Sequence, residues 1–107
     1  MNTKPVIQAV EPSATGADFL FWCPGCEQHH GVWTTKSNAN GARWTFNGNM
    51  VEPSFNPSFL IRGDEKSPRC HSIIKAGLIM FLSDSSHKLC GKTVKLKPID
   101  EALEVGG

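Results

Sequence analysis

The chain has 107 residues, a net charge of +1 and a charged fraction of 20%. That is enough for one modest core, and it excludes both a disordered chain and a polyanion-binding one. No run of about 18 apolar residues occurs, so no membrane-spanning helix is expected. The opening residues M-N-T-K-P-V-I-Q lack the apolar stretch of a signal peptide, which makes the cytoplasm the expected compartment. There thiols stay reduced, and paired cysteines bind metal more often than they cross-link.

Ten Gly and seven Pro, spread along the chain, break it into short pieces. This favours a mainly β, small antiparallel fold over a helical bundle. Residues 1–107 read as a single domain, with the core at about 17–97 and a tail at 98–107. Val6, Ile7 and Val10 form the only apolar run before Gly16 and predict an edge strand followed by a turn. Asp18 to Trp22 (D-F-L-F-W) is a compact apolar strand that ends directly in Cys23-Pro24-Gly25-Cys26.

The C-P-G-C step is a specific local signal. A zinc ion at about 2.3 Å from each sulfur needs two thiolates turned inward over a tight loop, and Pro24-Gly25 favours such a turn. A disulfide-exchange motif would instead open a helix inside a strand-helix-strand unit. The residues that follow, E-Q-H-H-G-V-W-T-T, read as another strand, so metal is preferred over redox chemistry.

Gly31 to Thr35 predicts that strand, and 36–42 a polar loop. Arg43 to Asn49 alternates Trp44 and Phe46 ahead of Asn47-Gly48, a hairpin cue. Pro53 and Pro57 bracket Phe55, which makes 51–57 an extended edge segment or a rigid loop. Ser58 then opens a strand over Phe59-Leu60-Ile61, and Gly63 to Arg69 is an exposed connection.

The central element runs from Cys70 to Gly91. Ile73 and Ile74 lead into a turn at Lys75-Ala76-Gly77, and Leu78 to Leu82 return. Such a hairpin brings Cys70 and His71 beside Asp84 and His87 at its open end. Asp84 reads as the N-cap of a helical turn at 84–91 closed by Gly91. Thr93 to Leu96 is a last strand, and a short helix is expected at Ile99 to Val105.

Two cysteines cannot close a tetrahedral site. One zinc ion (Zn2+) is therefore expected on Cys23, Cys26 and Cys70 with one histidine. Adjacent strand residues point to opposite faces, so Cys70 and His71 do not readily share an ion, and His87 is the expected fourth ligand. His30, four residues after Cys26, and His71 remain alternatives. His29 reads as a side chain with satisfied hydrogen bonds, and Cys90 as a small buried residue beside Gly91.

The strings F-W-C-P-G-C, H-G, W-x-F-N-G-N, P-S-F-N-P-S, C-H-S-I-I and F-L-S-D-S-S-H-K-L-C-G-K-T-V resemble those of a group of short phage and prophage proteins. That group is treated as a domain of unknown function, and some members carry an ammonia-monooxygenase label. The likeness covers about Phe19 to Leu96. It implies a compact zinc-binding β-rich domain, resident in the host cytoplasm if phage-encoded. Relatives beside bacterial ubiquitin-like conjugation genes imply a peptidase that trims or removes such modifiers. Many relatives have Ala at Cys90, which argues against that thiol as a ligand.

Two functional classes follow. The first is a small hydrolase cleaving peptide or isopeptide bonds, serine-type or zinc-dependent. A serine nucleophile needs a base within hydrogen-bond reach and a group that orients the base. Ser58, His71 and Asp84 fill those roles: His71, on the other face of its strand from Cys70, is free to act as a base. The second class is a non-enzymatic, zinc-stapled protein-binding module, with Trp22, Trp33 and Trp44 available for a partner surface. Eleven Lys and Arg against ten acids are scattered without a basic stripe, which argues against nucleic acid. A deaminase wants H-x-E ahead of P-C-x-x-C; here the proline lies inside the pair and no H-x-E occurs. The substrate or partner, and the oligomeric state, stay open.

Overall fold

The computed structural model describes residues 4–11, 16–61, 63 and 68–99. Among these, nine strands form three antiparallel sheets. The first sheet holds β1 (Ile7–Ala9), β2 (Phe19–Cys23) and β3 (Gln28–Val32) in that order. A two-stranded ribbon pairs β4 (Thr45–Phe46) with β5 (Phe55–Asn56). The four-stranded sheet runs β6 (Phe59–Ile61), β7 (Cys70–Lys75), β8 (Leu78–Phe81), β9 (Thr93–Lys95), again in chain order. The architecture is thus the mainly β, antiparallel one expected. No helix among the described residues is long and apolar enough to cross a membrane.

Strand alternation sorts each sheet into a core face and an outer face. Phe21, Cys23, His30 and Val32 lie on the buried face of the first sheet, where Phe21 pairs with His30 across the ladder. In the four-stranded sheet the buried face carries Phe59, Cys70, Ser72, Ile74, Ile79 and Phe81. The two faces meet where the Phe21 and Phe59 rings pack edge-on at 5.3 Å, and Trp44 stacks on Phe59 at 4.7 Å. Each fully buried Phe contributes about 2–3 kcal/mol of apolar burial. The core also takes in Val6 and Ile7 at one end of the chain and Ile99 at the other; Ile99 N–H donates to Pro5 O at 2.9 Å.

The central hairpin forms as its sequence predicts. Ala76 and Gly77 both adopt positive φ, 50° and 79°, as a tight two-residue hairpin turn requires. Ala76 N–H also donates to Ser54 Oγ and Gly77 N–H to Pro53 O, at 2.8 and 2.9 Å.

Four local expectations need correction. The strand after C-P-G-C begins at Gln28 rather than Gly31, because Glu27, at φ 56°, closes the turn with its N–H on Cys23 O at 2.8 Å. Asn47-Gly48 does not return a tight hairpin; β4 pairs with β5 across the loop 47–54 instead. That loop is folded by side chains: Asn47 Oδ1 accepts from Asn49 and Ser54 N–H, and Asn49 Oδ1 from Val51 and Glu52 N–H, the habit of Asn in turns. The helical turn near 84–91 is present only as single i→i+3 turns, Ser85 N–H to Leu82 O, Cys90 N–H to His87 O and Lys92 N–H to Leu89 O, with Gly91 at φ 75°. The Asp84 carboxylate caps none of them, being engaged by Arg69 and His71. Cys90, expected buried, is exposed. Residues 64–67 of the predicted connection, and the predicted helix beyond Ile99, lie outside the described residues.

Candidate active site and metal centre

The turn between β2 and β3 builds the first half of a Cys/His cluster that could hold a metal ion. Cys23 ends β2 pointing inward, and Cys26 N–H donates to its sulfur at 3.4 Å. His30, two positions beyond the Cys23 partner Gln28, returns to the same face. Cys70, the first residue of β7, closes the group from the other sheet, with its sulfur 3.8 Å from that of Cys23. One donor atom from each of Cys23, Cys26, His30 and Cys70 lies within 4.8 Å of the others.

Several observations mark this cluster as a site for a cation. His30 Nε2 is buried without a hydrogen-bond partner, a costly state for an imidazole nitrogen. The hydrogen bond from Cys70 draws the Cys23 thiol well below the usual range, against its burial and with help from His30. Burial and the neighbouring Cys23 charge push Cys26 up, and the bond to Cys23, with burial, pushes Cys70 up. Three sulfurs and one imidazole are a soft four-donor set, the kind and number of ligands that a structural zinc site takes.

The structure therefore groups His30, and not the expected His87, with the three cysteines. His87 Nδ1 accepts the Leu89 N–H at 3.2 Å, so in the neutral ring Nε2 carries the hydrogen and is a donor rather than a ligand. The ring packs edge-on against Phe81 at 4.4 Å and lies over Gly25, where a methyl group would overlap the imidazole. The glycine of C-P-G-C thus makes room for His87. His29, whose hydrogen bonds were expected to be satisfied, faces away beside Trp22 with Nε2 buried and unpartnered.

The second site lies on the opposite face of β7. His71 follows Cys70 and so points outward, directly across from Leu60 in β6. Ser58, two residues before Leu60, falls on the same face. Its hydroxyl is 3.1 Å from His71 Nε2. The other ring nitrogen, Nδ1, lies 3.1 and 3.0 Å from the two carboxylate oxygens of Asp84. The three residues proposed from sequence therefore form one continuous hydrogen-bonded chain, Ser58–His71–Asp84.

Two strands of support hold that chain. Behind Ser58, Trp44 Nε1–H donates to its carbonyl at 3.2 Å while the indole stacks on Phe59. Behind Asp84, the segment 84–86 is zipped to 69–71. Ser85 Oγ accepts from His71 N–H and donates to His71 O, both at 3.0 Å, and Arg69 N–H donates to Ser86 Oγ at 2.7 Å. Arg69 adds a guanidinium 3.1 Å from Asp84 Oδ2. Desolvation is the largest single influence on Asp84 and raises its pKa, but the hydrogen bonds from Arg69 and His71 and the nearby His71 ring together outweigh it and hold the carboxyl below the usual carboxylate range. Beside the serine runs a groove of about 490 Å³ walled by Asn38, Asn40, Trp44, Pro57, Ser58 and Leu60.

Sequence reasoning missed Arg69, Ser85 and the metal-facing placement of His30. For His30 a signal was present: starting the strand at Gln28 puts it in phase with Cys23. Arg69 and Ser85 act through the pairing of 69–71 with 84–86 beyond the open end of the β7–β8 hairpin and left no local mark.

A Ser-His-Asp chain on a sheet face, beside a groove and backed by a Cys3His cluster that could hold a metal ion, is the side-chain arrangement that serine hydrolases use. Residues 2–82 match the model of the bacterial ubiquitination-like system serine protease (BubE) family, and the chain belongs to that family. The matched span includes Ser58, His71 and the four clustered donors; Asp84 lies just past its end. No curated protein and no solved structure matches the chain.

Proposed function

We infer that this chain is a serine protease that hydrolyses peptide or isopeptide bonds in protein substrates of a bacterial ubiquitination-like system. The observation that carries the reading is the unbroken chain from Ser58 Oγ through both nitrogens of His71 to Asp84.

In this reading His71 holds its hydrogen on Nδ1, donated to the Asp84 carboxylate, which leaves Nε2 as the acceptor for the Ser58 proton. Ser58 Oγ attacks the substrate carbonyl as His71 Nε2 takes the proton. The imidazolium then gives that proton to the departing amine, and the C–N bond breaks to leave an ester on Ser58. Water, deprotonated by the same nitrogen, attacks the ester; the acid product leaves and Ser58 regains its proton from His71. Asp84 stays ionised throughout, aided by Arg69.

Zinc fits the Cys23, Cys26, His30 and Cys70 donor set. Four protein donors leave no open position for water, which favours a structural role over a Lewis-acid one. Bound there, the ion would tie β7 to the β2–β3 turn, and so help to hold His71, the residue next to Cys70. Non-enzymatic binding, the other class, has no need of a continuous Ser-His-Asp chain.

The test is to incubate the full chain with a ubiquitin-like protein of such a system carrying a C-terminal extension, and to follow products by mass spectrometry. Cleavage should be abolished in Ser58→Ala and His71→Ala, with zinc content and melting temperature retained. If both variants cleave like the parent, the triad is not the catalyst. If the fusion binds and is never cut, the chain is a binding module.

A further inference from the structure

We propose that the outer face of the four-stranded sheet is a docking surface for the folded body of the protein substrate, separate from the groove that receives the scissile segment. The proposal rests on the serine-protease reading above and names where that enzyme holds its substrate.

Ladder register places Leu60, His71, Ile73, Lys75, Leu78, Met80 and Lys95 on one face, since directly paired strand residues share a side of the sheet. The described residues expose three large apolar side chains, Leu60 at 44%, Leu78 at 39% and Met80 at 45%. All three lie on this face, and Ile73, half-buried, sits between His71 and the Met80–Leu78 pair. A soluble surface scatters such residues singly; their gathering on one side marks a contact surface. The strip starts at Leu60, in the wall of the Ser58 groove, and runs past His71 to Leu78 at the hairpin turn. It is therefore continuous with the catalytic chain, and a protein seated on it presents its tail to Ser58.

Charge narrows the occupant. The strands of this face contribute Lys75 and Lys95, both exposed, and no carboxylate; Asp84 lies at the catalytic end, engaged by His71 and Arg69, and Glu52 stands beside the hairpin turn. Near Ile73 the face deepens into a groove of about 480 Å³ shared by Ile73 and Lys75 with Phe46 and Asn56 of the ribbon. The partner surface that fits is apolar at its centre and edged by carboxylates. Such a surface gives specificity for a folded substrate over any peptide that merely contains the cleaved bond.

The experiment compares two substrates of the full chain: a ubiquitin-like protein with a C-terminal reporter domain, and a short peptide spanning the same junction. Leu78→Ser/Met80→Ser changes only exposed side chains and keeps the melting temperature. It should raise KM for the folded fusion at least tenfold while kcat/KM on the peptide stays within twofold. Lys75→Glu/Lys95→Glu should reproduce the effect. A parallel measurement free of turnover uses Ser58→Ala: the same surface changes should weaken its Kd for the intact fusion at least tenfold. Fusion binding that ignores Leu78 and Met80 overturns the proposal, as does an equal loss on fusion and peptide. A concentration-dependent dimer abolished by the Ser substitutions would reassign the face to self-association. If the parent cuts neither substrate, the protease reading fails alone, and the binding arm still decides the docking face.

Discussion

Replacing Asp84 with Asn probes the triad at its most exposed member. The carboxylate meets His71 Nδ1 with both oxygens and also faces Arg69. The amide keeps the shape, cancels the charge and offers an NH2 where an acceptor was needed, so the ring is no longer held with its hydrogen on Nδ1. In a buried triad such a swap costs about 10⁴ in kcat. Here the Asp84 side chain is 44% exposed, so water can partly solvate the imidazolium. Against that, Arg69 loses its counter-charge and stands near the developing His71 cation. Together these put the loss at about 10²–10³, or roughly 3–4 kcal/mol of transition-state stabilisation at 1.36 kcal/mol per decade. The assay is kcat/KM on the fusion substrate, with zinc content as a control. The double variant Arg69→Ala/Asp84→Asn should lose less than the product of the two single losses, because Arg69 no longer repels the imidazolium. A kcat/KM for Asp84→Asn within threefold of the parent would refute this role of Asp84.

Three further outcomes follow from the same geometry. Purified protein should hold about one equivalent of zinc; His30→Ala should bring it below half an equivalent and lower Tm by roughly 10 °C or more, read by elemental analysis and thermal melts. His87→Ala should keep the metal and lose the packing on Phe81 and Gly25 and the Leu89 N–H bond, about 1–3 kcal/mol in denaturant titration. Asp18 accepts from Thr34 N–H at 2.7 Å, Thr35 N–H at 3.0 Å and Lys36 Nζ at 3.3 Å, so Asp18→Ala should cost about 1–3 kcal/mol. The amides of Thr34 and then Thr35 hold its carboxyl far below the usual range. A depressed folded pKa means that this stabilisation is complete above the unfolded value of about 4 and is lost as pH falls through the lower folded value; a melting series from pH 7 downward should show a steeper acid loss in the parent than in Asp18→Ala.

The parts of this molecule that sequence made visible are those with local causes. The hairpin 70–82 declares itself through apolar runs on either side of Ala76-Gly77. Parity along β7 then separates Cys70, facing the core, from His71, facing out, and the hairpin return supplies Asp84. Ser58 was readable as the start of a strand held behind Pro57. What stayed hidden depends on offsets and distant partners. A strand begun at Gly31 instead of Gln28 leaves His30 in a loop, and the metal centre then turns to His87, the other nearby imidazole. Asn47-Gly48 carries a hairpin signal, yet the Asn47 and Asn49 side chains capture the following amides and delay the return to Phe55. Arg69 and Ser85 became visible only once 84–86 lay against 69–71.

The most direct measurement of the central claim is labelling of the full chain with a fluorophosphonate, followed by peptide mapping. A Ser58 oxygen activated by His71 should displace the fluoride and give one adduct per chain, on Ser58. That adduct should be absent in Ser58→Ala and slowed by orders of magnitude in His71→Ala, with zinc still bound. An unlabelled parent, or an adduct on a residue other than Ser58, would contradict the assignment of Ser58 as the nucleophile.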